Sequence, residues 1–199
     1  MRRAALLLPF ALVLAGCSIR ETKTVITPTT VTRTTTVTVT TTSTGTTTAK
    51  PASAPCAAAS LQGSFAGIPG SAGAGQTSYR LTLTNTGATS CWVQGLPQVQ
   101  LLGTTGAANP TSVSAAPPTP ASPPKVSLAH GKSATADARF SPDVPGTGDV
   151  NKPGAPCEET STVLRVTAPG GGTLDAPIQP PTPVCERGSL RFTDFTAAS

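Results

Sequence analysis

With 199 residues, the chain has room for one domain and accessory segments. Twenty-one Pro and nineteen Gly, against five Phe, one Trp and one Tyr, exclude an architecture of long helices and point to short strands joined by turns and loops. The formal charge of +5 misleads, because Arg2 and Arg3 open the chain and residues 18–55 carry a net +3, while from Cys56 onward eight basic residues balance eight acidic ones. The part expected to fold is neutral, which argues against a nucleic-acid binder, since that needs a basic face on the domain itself.

Residues 1–16 read as a signal peptide: Met1-Arg2-Arg3 is a positive start, and Ala4 to Ala15 is an apolar run too short to be a stable membrane span. The run ends Leu14-Ala15-Gly16-Cys17, which resembles the bacterial lipobox. That resemblance implies cleavage before Cys17, a diacylglyceryl group on its thiol, and palmitate-type acylation that anchors the chain to the outer face of the cell membrane. Two acyl chains give stable attachment where one is marginal.

From Cys17 to residue 55 the composition is that of a disordered linker. Seventeen of the 27 residues from Thr22 to Thr48 are Thr, and there is almost no large apolar side chain to offset the entropy of ordering. As a coil, residues 18–55 span about 35 Å, and fully extended they reach roughly 120 Å. Thr-rich tracts with Pro are typical of O-glycosylated stalks. A positively charged stalk also suits an anionic membrane or wall.

The folded domain, residues 56–199, is expected to start at Cys56. Leu61 to Ile68 reads as a first strand with Phe65 inward. Tyr79 to Thr84 alternates apolar and polar residues at the period of a half-buried strand. Asn85-Thr86-Gly87 is a turn whose residues tolerate positive φ. Cys91 to Val93 and Val99 to Leu102 follow, then a Pro-, Gly- and Ser-rich stretch, 104–124, read as an exposed loop. Val126 to Leu128 and Ser133 to Phe140 flank an Ala129-His130-Gly131 turn. A second loop, 141–156, ends at Cys157. Thr162 to Thr167 and Thr173 to Ile178 are strands, and a Pro-rich link reaches Cys185. Ser189 to Phe195 closes the domain with Leu190, Phe192 and Asp194 on one face. Seven to nine short strands with frequent turn signals make an all-β, immunoglobulin-like β-sandwich the natural solution.

With Cys17 set aside, Cys56, Cys91, Cys157 and Cys185 form an even set, as expected of disulfides in an oxidising compartment. Three pairings exist, and Cys56–Cys91 with Cys157–Cys185, each local in sequence, is favoured. Zinc is rejected, because there is no Cys-x-x-Cys pair and His130 stands alone. Copper is rejected, because the only Met is Met1. Asp143 and Asp149 lack the alternating acidic spacing of an EF-hand.

Nucleophilic catalysis needs a base beside Ser, Thr or Cys. His130 is the only His and sits in turn composition. Glu158 and Glu159 point opposite ways on an extended chain. Lys132, Arg139, Arg165 and Arg191 alternate with apolar or Thr positions and belong to outward faces. Trp92 beside Cys91 reads as a core residue packed near a disulfide, the alternative being a surface platform for stacking carbohydrate.

Several motifs together resemble a family of actinobacterial exported proteins and lipoproteins known as domain of unknown function 4232. They are Asn85-Thr86-Gly87, Cys91-Trp92-Val93, Gly95-Leu96-Pro97 before Val99-Gln100-Leu101, and Val126 to Leu128 before Gly131-Lys132-Ser133-Ala134. Cys157, Leu164-Arg165-Val166 before Pro169, and Cys185 before Gly188-Ser189-Leu190 complete the set. The resemblance covers about residues 56–196. The stretch 104–124 is longer and richer in Pro than the pattern, and Leu96 replaces a common aromatic. The resemblance implies a sandwich and a cell-envelope location, and brings no catalytic residues or cofactors. The expected function is therefore a non-enzymatic binding or adaptor module on a membrane tether, with an envelope protein or glycan as partner. The alternative is a glycosylated, wall-spanning spacer. The loops 104–124 and 141–156 are the expected partner sites.

Overall fold

The computed structural model describes residues 54–118, 120–147, 149 and 157–198. The expected signal peptide, Cys17, nearly all of the stalk and residues 150–156 of the second loop lie outside the described residues.

Eleven strands are present among the described residues: β1 (Leu61–Gly67), β2 (Thr77–Asn85), β3 (Cys91–Gln94), β4 (Gln98–Gly103), β5 (Ser112–Ala115) and β6 (Lys125–Leu128). They continue with β7 (Ser133–Phe140), β8 (Ser161–Thr167), β9 (Thr173–Thr182), β10 (Ser189–Phe192) and β11 (Thr196–Ala197). The main sheet runs β4-β8-β9-β1-β2-β7-β10-β5, with β11 also on β7, and β3 pairs with β6 separately. The fold is the expected all-β sandwich, and one core joins inward residues from both sets of strands. No described helix is long and apolar enough to cross a membrane.

Alternation builds that core. On β2, Tyr79, Leu81 and Leu83 point in; on β7, Ala134, Ala136, Ala138 and Phe140 do the same. Small alanines on β7 leave room for the few aromatics. Tyr79 packs against Phe65 and Phe140, with centroids 5.3 and 5.2 Å away, and Phe65 meets Phe192 at 6.1 Å. The Tyr79 hydroxyl donates to the Pro180 carbonyl at 3.0 Å, so its polar tip is satisfied.

Both disulfides join the favoured partners. Cys56–Cys91 spans 4.8 Å between Cα atoms and Cys157–Cys185 spans 5.4 Å. The first ties the start of the domain to β3, where Pro55 bridges Trp92 in parallel.

Four expectations are corrected. The stretch 104–124 is not one exposed loop. Ala108 bridges Leu102, Asn109 is buried, and β5 pairs in parallel with β10. Ser112-Val113-Ser114-Ala115 alternates, so Val113 packs on the core while the serines face out. The Pro-rich link to Cys185 is largely the end of β9. There Pro177, Pro180 and Pro181 occupy the region where the strand leaves β8 and meets β1 at Phe65–Ile178. At such a transition a missing N–H removes little of the ladder.

Asn85 does not use positive φ. Its fully buried side chain makes the turn instead, with Oδ1 accepting from Gly87 N–H at 2.9 Å. Its Nδ2 donates to the carbonyls of Thr89 (2.9 Å) and Leu128 (2.8 Å). Finally, Phe195 rather than Asp194 turns inward.

Candidate binding groove

The end of the chain explains the groove. β10 and β11 pair with the same edge of β7, at Arg139–Ala138 and at Thr135–Ala134. Between them residues 193–195 leave the ladder. Thr193 stays attached through its N–H to the Asp137 carbonyl, while the Phe195 N–H crosses to the Gly95 carbonyl at 3.0 Å. The excursion puts the apolar ring of Phe195 under the β3–β4 turn, where it is 4 % exposed. Gly95 holds that turn at φ 70°, a conformation that disfavours a side chain.

Two depressions share Phe195 as a wall. One, of about 200 Å³, lies between Leu96, Pro97, Gln98 and the end of β8 at Val166–Pro169. The other, of about 230 Å³, lies between Pro117, Pro118, Pro120, Pro124 and the 193–196 excursion, with Asp194 at its edge. The Gln94 side chain fixes the ridge between them by donating to the Pro123 carbonyl at 2.6 Å. Both are smaller than the roughly 300–1,000 Å³ of small-molecule pockets. Their scale suits single side chains of an extended peptide, and proline walls give such a groove a preformed shape.

Trp92 lies beside this ridge, not in the core. Cys91 and Val93 are buried on β3, so alternation turns Trp92 and Gln94 to the outer face. Lys125 Nζ stands 4.2 Å from the Trp92 ring centroid, a cation–π contact that occupies one ring face.

The second disulfide carries the other unusual chemistry. Cys185–Gly188 is a single helical turn in which Glu186 and Arg187 are left-handed, at φ 56° and 58°. Each such residue costs roughly 1–2 kcal/mol. Asp149 offsets this by accepting from the backbone N–H groups of Glu186 (2.6 Å), Arg187 (2.8 Å) and Gly146 (2.7 Å). Burial alone would raise the Asp149 pKa. These three donors and a hydrogen bond with Glu158 outweigh burial and hold it below the usual carboxylate range. Glu158 moves up, first through burial and then through its bond to Asp149 and that group's charge, against the pull of Arg187.

The two carboxyls are therefore pushed in opposite directions, Asp149 toward its charged form and Glu158 toward its protonated one. With its oxygens already engaged by donors, Asp149 is a poor base. An Asp149 oxygen and the sulfurs of Cys157 and Cys185 lie within 4.8 Å of one another, but a disulfide offers no thiolate to a metal.

His130 is exposed, with Nδ1 3.1 Å from the Gly87 carbonyl oxygen, its hydrogen-bond partner among the described residues. Of the expected partner loops, 104–124 contributes its proline end to the groove. From 141–156, Asp149 is the residue brought to a site. Sequence reading weighed Asp149 only as a calcium ligand and placed Phe195 only in the closing strand; neither role carries a local signal, because each acts on residues far along the chain.

No curated protein and no solved structure matches the chain. Residues 56–196, from the first disulfide cysteine to β11, match the family described as domain of unknown function DUF4232, and the chain belongs to that family.

Proposed function

We propose that the protein is a lipid-anchored cell-envelope adaptor, held by Cys17 at the outer face of the membrane, whose sandwich binds a protein segment without catalysis. One observation carries this reading: two adjoining depressions, one of mixed polarity beside Leu96 and Pro97 and one largely apolar between Pro117, Pro118, Pro120 and Pro124, share Phe195 as a lining residue. An extended peptide fills such a surface with alternate side chains.

In-cell crosslinking of the full-length chain tests the proposal, with Leu96→Arg and Cys17→Ala as comparisons. Leu96 is partly buried and packs against the core, so the Tm of Leu96→Arg is measured beside the crosslinking to show that the charge enters a folded groove. A discrete partner crosslinked by the wild type and lost in both variants is the expected result. Crosslinks unchanged by Leu96→Arg overturn the groove as the binding site.

A spacer role is favoured by a different observation. Val144 is the single large hydrophobic residue exposed among the described residues, so beyond the groove no cluster of large apolar side chains stands free to dock a partner. Only diffuse wall or lipid adducts in the same experiment would support that role, with the Thr-rich stalk and its glycans as the working part.

A further inference from the structure

Four arginines stand on strands at exposed positions: Arg80 on β2, Arg139 on β7, Arg165 on β8 and Arg191 on β10. Two are matched. Arg80 faces Asp137 in register and binds it with two bonds, 2.7 and 2.8 Å; Arg165 faces Asp175 and does the same at 2.7 and 3.0 Å. Arg139 and Arg191 are instead directly opposite each other across the β7–β10 ladder. Among the described residues neither has a carboxylate partner, and Arg139 Nε donates to the neutral side-chain oxygen of Gln76. Like charges directly opposite destabilise a sheet, whereas each matched pair shows an Asp placed to prevent that.

The surroundings of the unmatched pair are polar and ordered. Tyr79, Ala138, Phe140, Leu190 and Phe192 face the core, so Ser78, Arg139 and Arg191 share the opposite face. Register extends the row at both ends, to Ser78 beside Arg139 and Ser114 beside Arg191. Four strands make this row about 14 Å long. A parallel row of hydroxyls, Ser64, Thr82, Thr135 and Thr196, crosses β1, β2, β7 and β11 on the same face.

We propose that this face binds a phosphodiester-bearing glycan. The guanidinium forks of Arg139 and Arg191 take the phosphate, and the hydroxyl rows take sugar hydroxyls. Planar forks match phosphate oxygens, and an anion between the two arginines removes their mutual repulsion. A glycan fits better than a bilayer because the face presents two rows of hydroxyls, while Val144, beside Gly75 near the Arg139 end, is the single exposed large apolar side chain among the described residues, too little to enter lipid. This site meets the peptide groove only at Thr196, and its two arginines stand outside the groove, so it does not depend on that reading.

The test uses the full-length chain in neutral-detergent micelles, titrated with phosphomannan and with unphosphorylated mannan. Phosphomannan is expected to bind at least tenfold tighter. R139Q and R191Q should each weaken it about tenfold or more, the scale of a lost charge-assisted contact. R165Q makes the same charge change on β8 and should stay within twofold. R191Q also removes one of two opposed like charges, so its Tm should not fall, and R191K should restore charge but not the full affinity of the fork. Equal losses in R165Q, equal binding of mannan, or binding to vesicles of equal phosphatidylglycerol and phosphatidylcholine without binding to phosphomannan would each overturn the proposal.

Discussion

Replacing Asn85 by Ala removes three side-chain hydrogen bonds from a position with no solvent exposure. The bonds join two connections. Oδ1 and one Nδ2 bond shape the β2–β3 turn, and the second Nδ2 bond reaches Leu128 at the end of β6. The backbone of Asn85 adds to the same junction, donating to the Lys132 carbonyl and accepting from the Gly131 N–H.

Each lost bond is worth about 0.5–1.5 kcal/mol, and any buried partner left unpaired raises the cost. A total of about 3 kcal/mol is expected, which for a domain of this size lowers Tm by roughly 10 °C. Asn85→Asp sharpens the test. A carboxylate there would face the carbonyl oxygens of Thr89 and Leu128 with no proton to give, so at neutral pH it should be less stable than Asn85→Ala. A pKa raised in this way means the folded state holds the proton more tightly. Stability is then regained as pH falls through the folded pKa. Calorimetry of both variants at neutral and mildly acid pH measures this. A Tm loss below about 3 °C for Asn85→Ala, or Asn85→Asp matching it at neutral pH, would refute the reasoning.

Asp149→Asn should destabilise by about 1.5–3 kcal/mol in urea titration, because charge-assisted bonds to the left-handed turn are lost. The depressed Asp149 pKa contributes stability at neutral pH that disappears as pH falls through its folded value. The raised Glu158 pKa acts in the opposite sense. Its contribution is full below the ordinary Glu range and is lost as pH rises through the folded value, so Glu158→Gln should flatten that upper part of the stability profile. Removing either disulfide as a Cys→Ser pair should cost about 3.5–4 kcal/mol on the loop-entropy model for separations of 35 and 28, read as a shift in urea midpoint. Gly188→Ala should destabilise more than a Gly→Ala change in an open loop. Gly188 has φ 73° and an added Cβ would run into the Pro110 carbonyl, so a variant with unchanged Tm would contradict the packing of this turn against the approach to β5.

The strands were legible wherever alternation was long. Tyr79 to Thr84, Ser133 to Phe140 and Thr162 to Thr167 all lie in strands whose inward residues are the ones the pattern picks. The same rule also decides Trp92. Once Cys91 must reach Cys56 in the core, its neighbour must face out, and an aromatic next to a buried cysteine on a strand cannot share its side. Composition was the weaker guide. Serines and prolines at 110–118 read as loop, yet Val113 and a free edge on β10 were enough to make β5.

What the sequence hid lies in contacts between distant residues. Phe195 closes the groove through Gly95, and Asp149 supports Glu186 and Arg187 from a loop held by a disulfide. Neither contact has a period, a spacing or a motif, because each is chosen by where two strands end in space. The opposed arginines fall between these cases. Arg139 and Arg191 were readable as outward residues, but only the register shows that β10 returns Arg191 to Arg139, while Arg80 and Arg165 each meet an aspartate. Had β10 carried an acid at 191, the three remaining strand arginines would all have faced a carboxylate. The unmatched position therefore marks the point on this surface where an external anion gains the most.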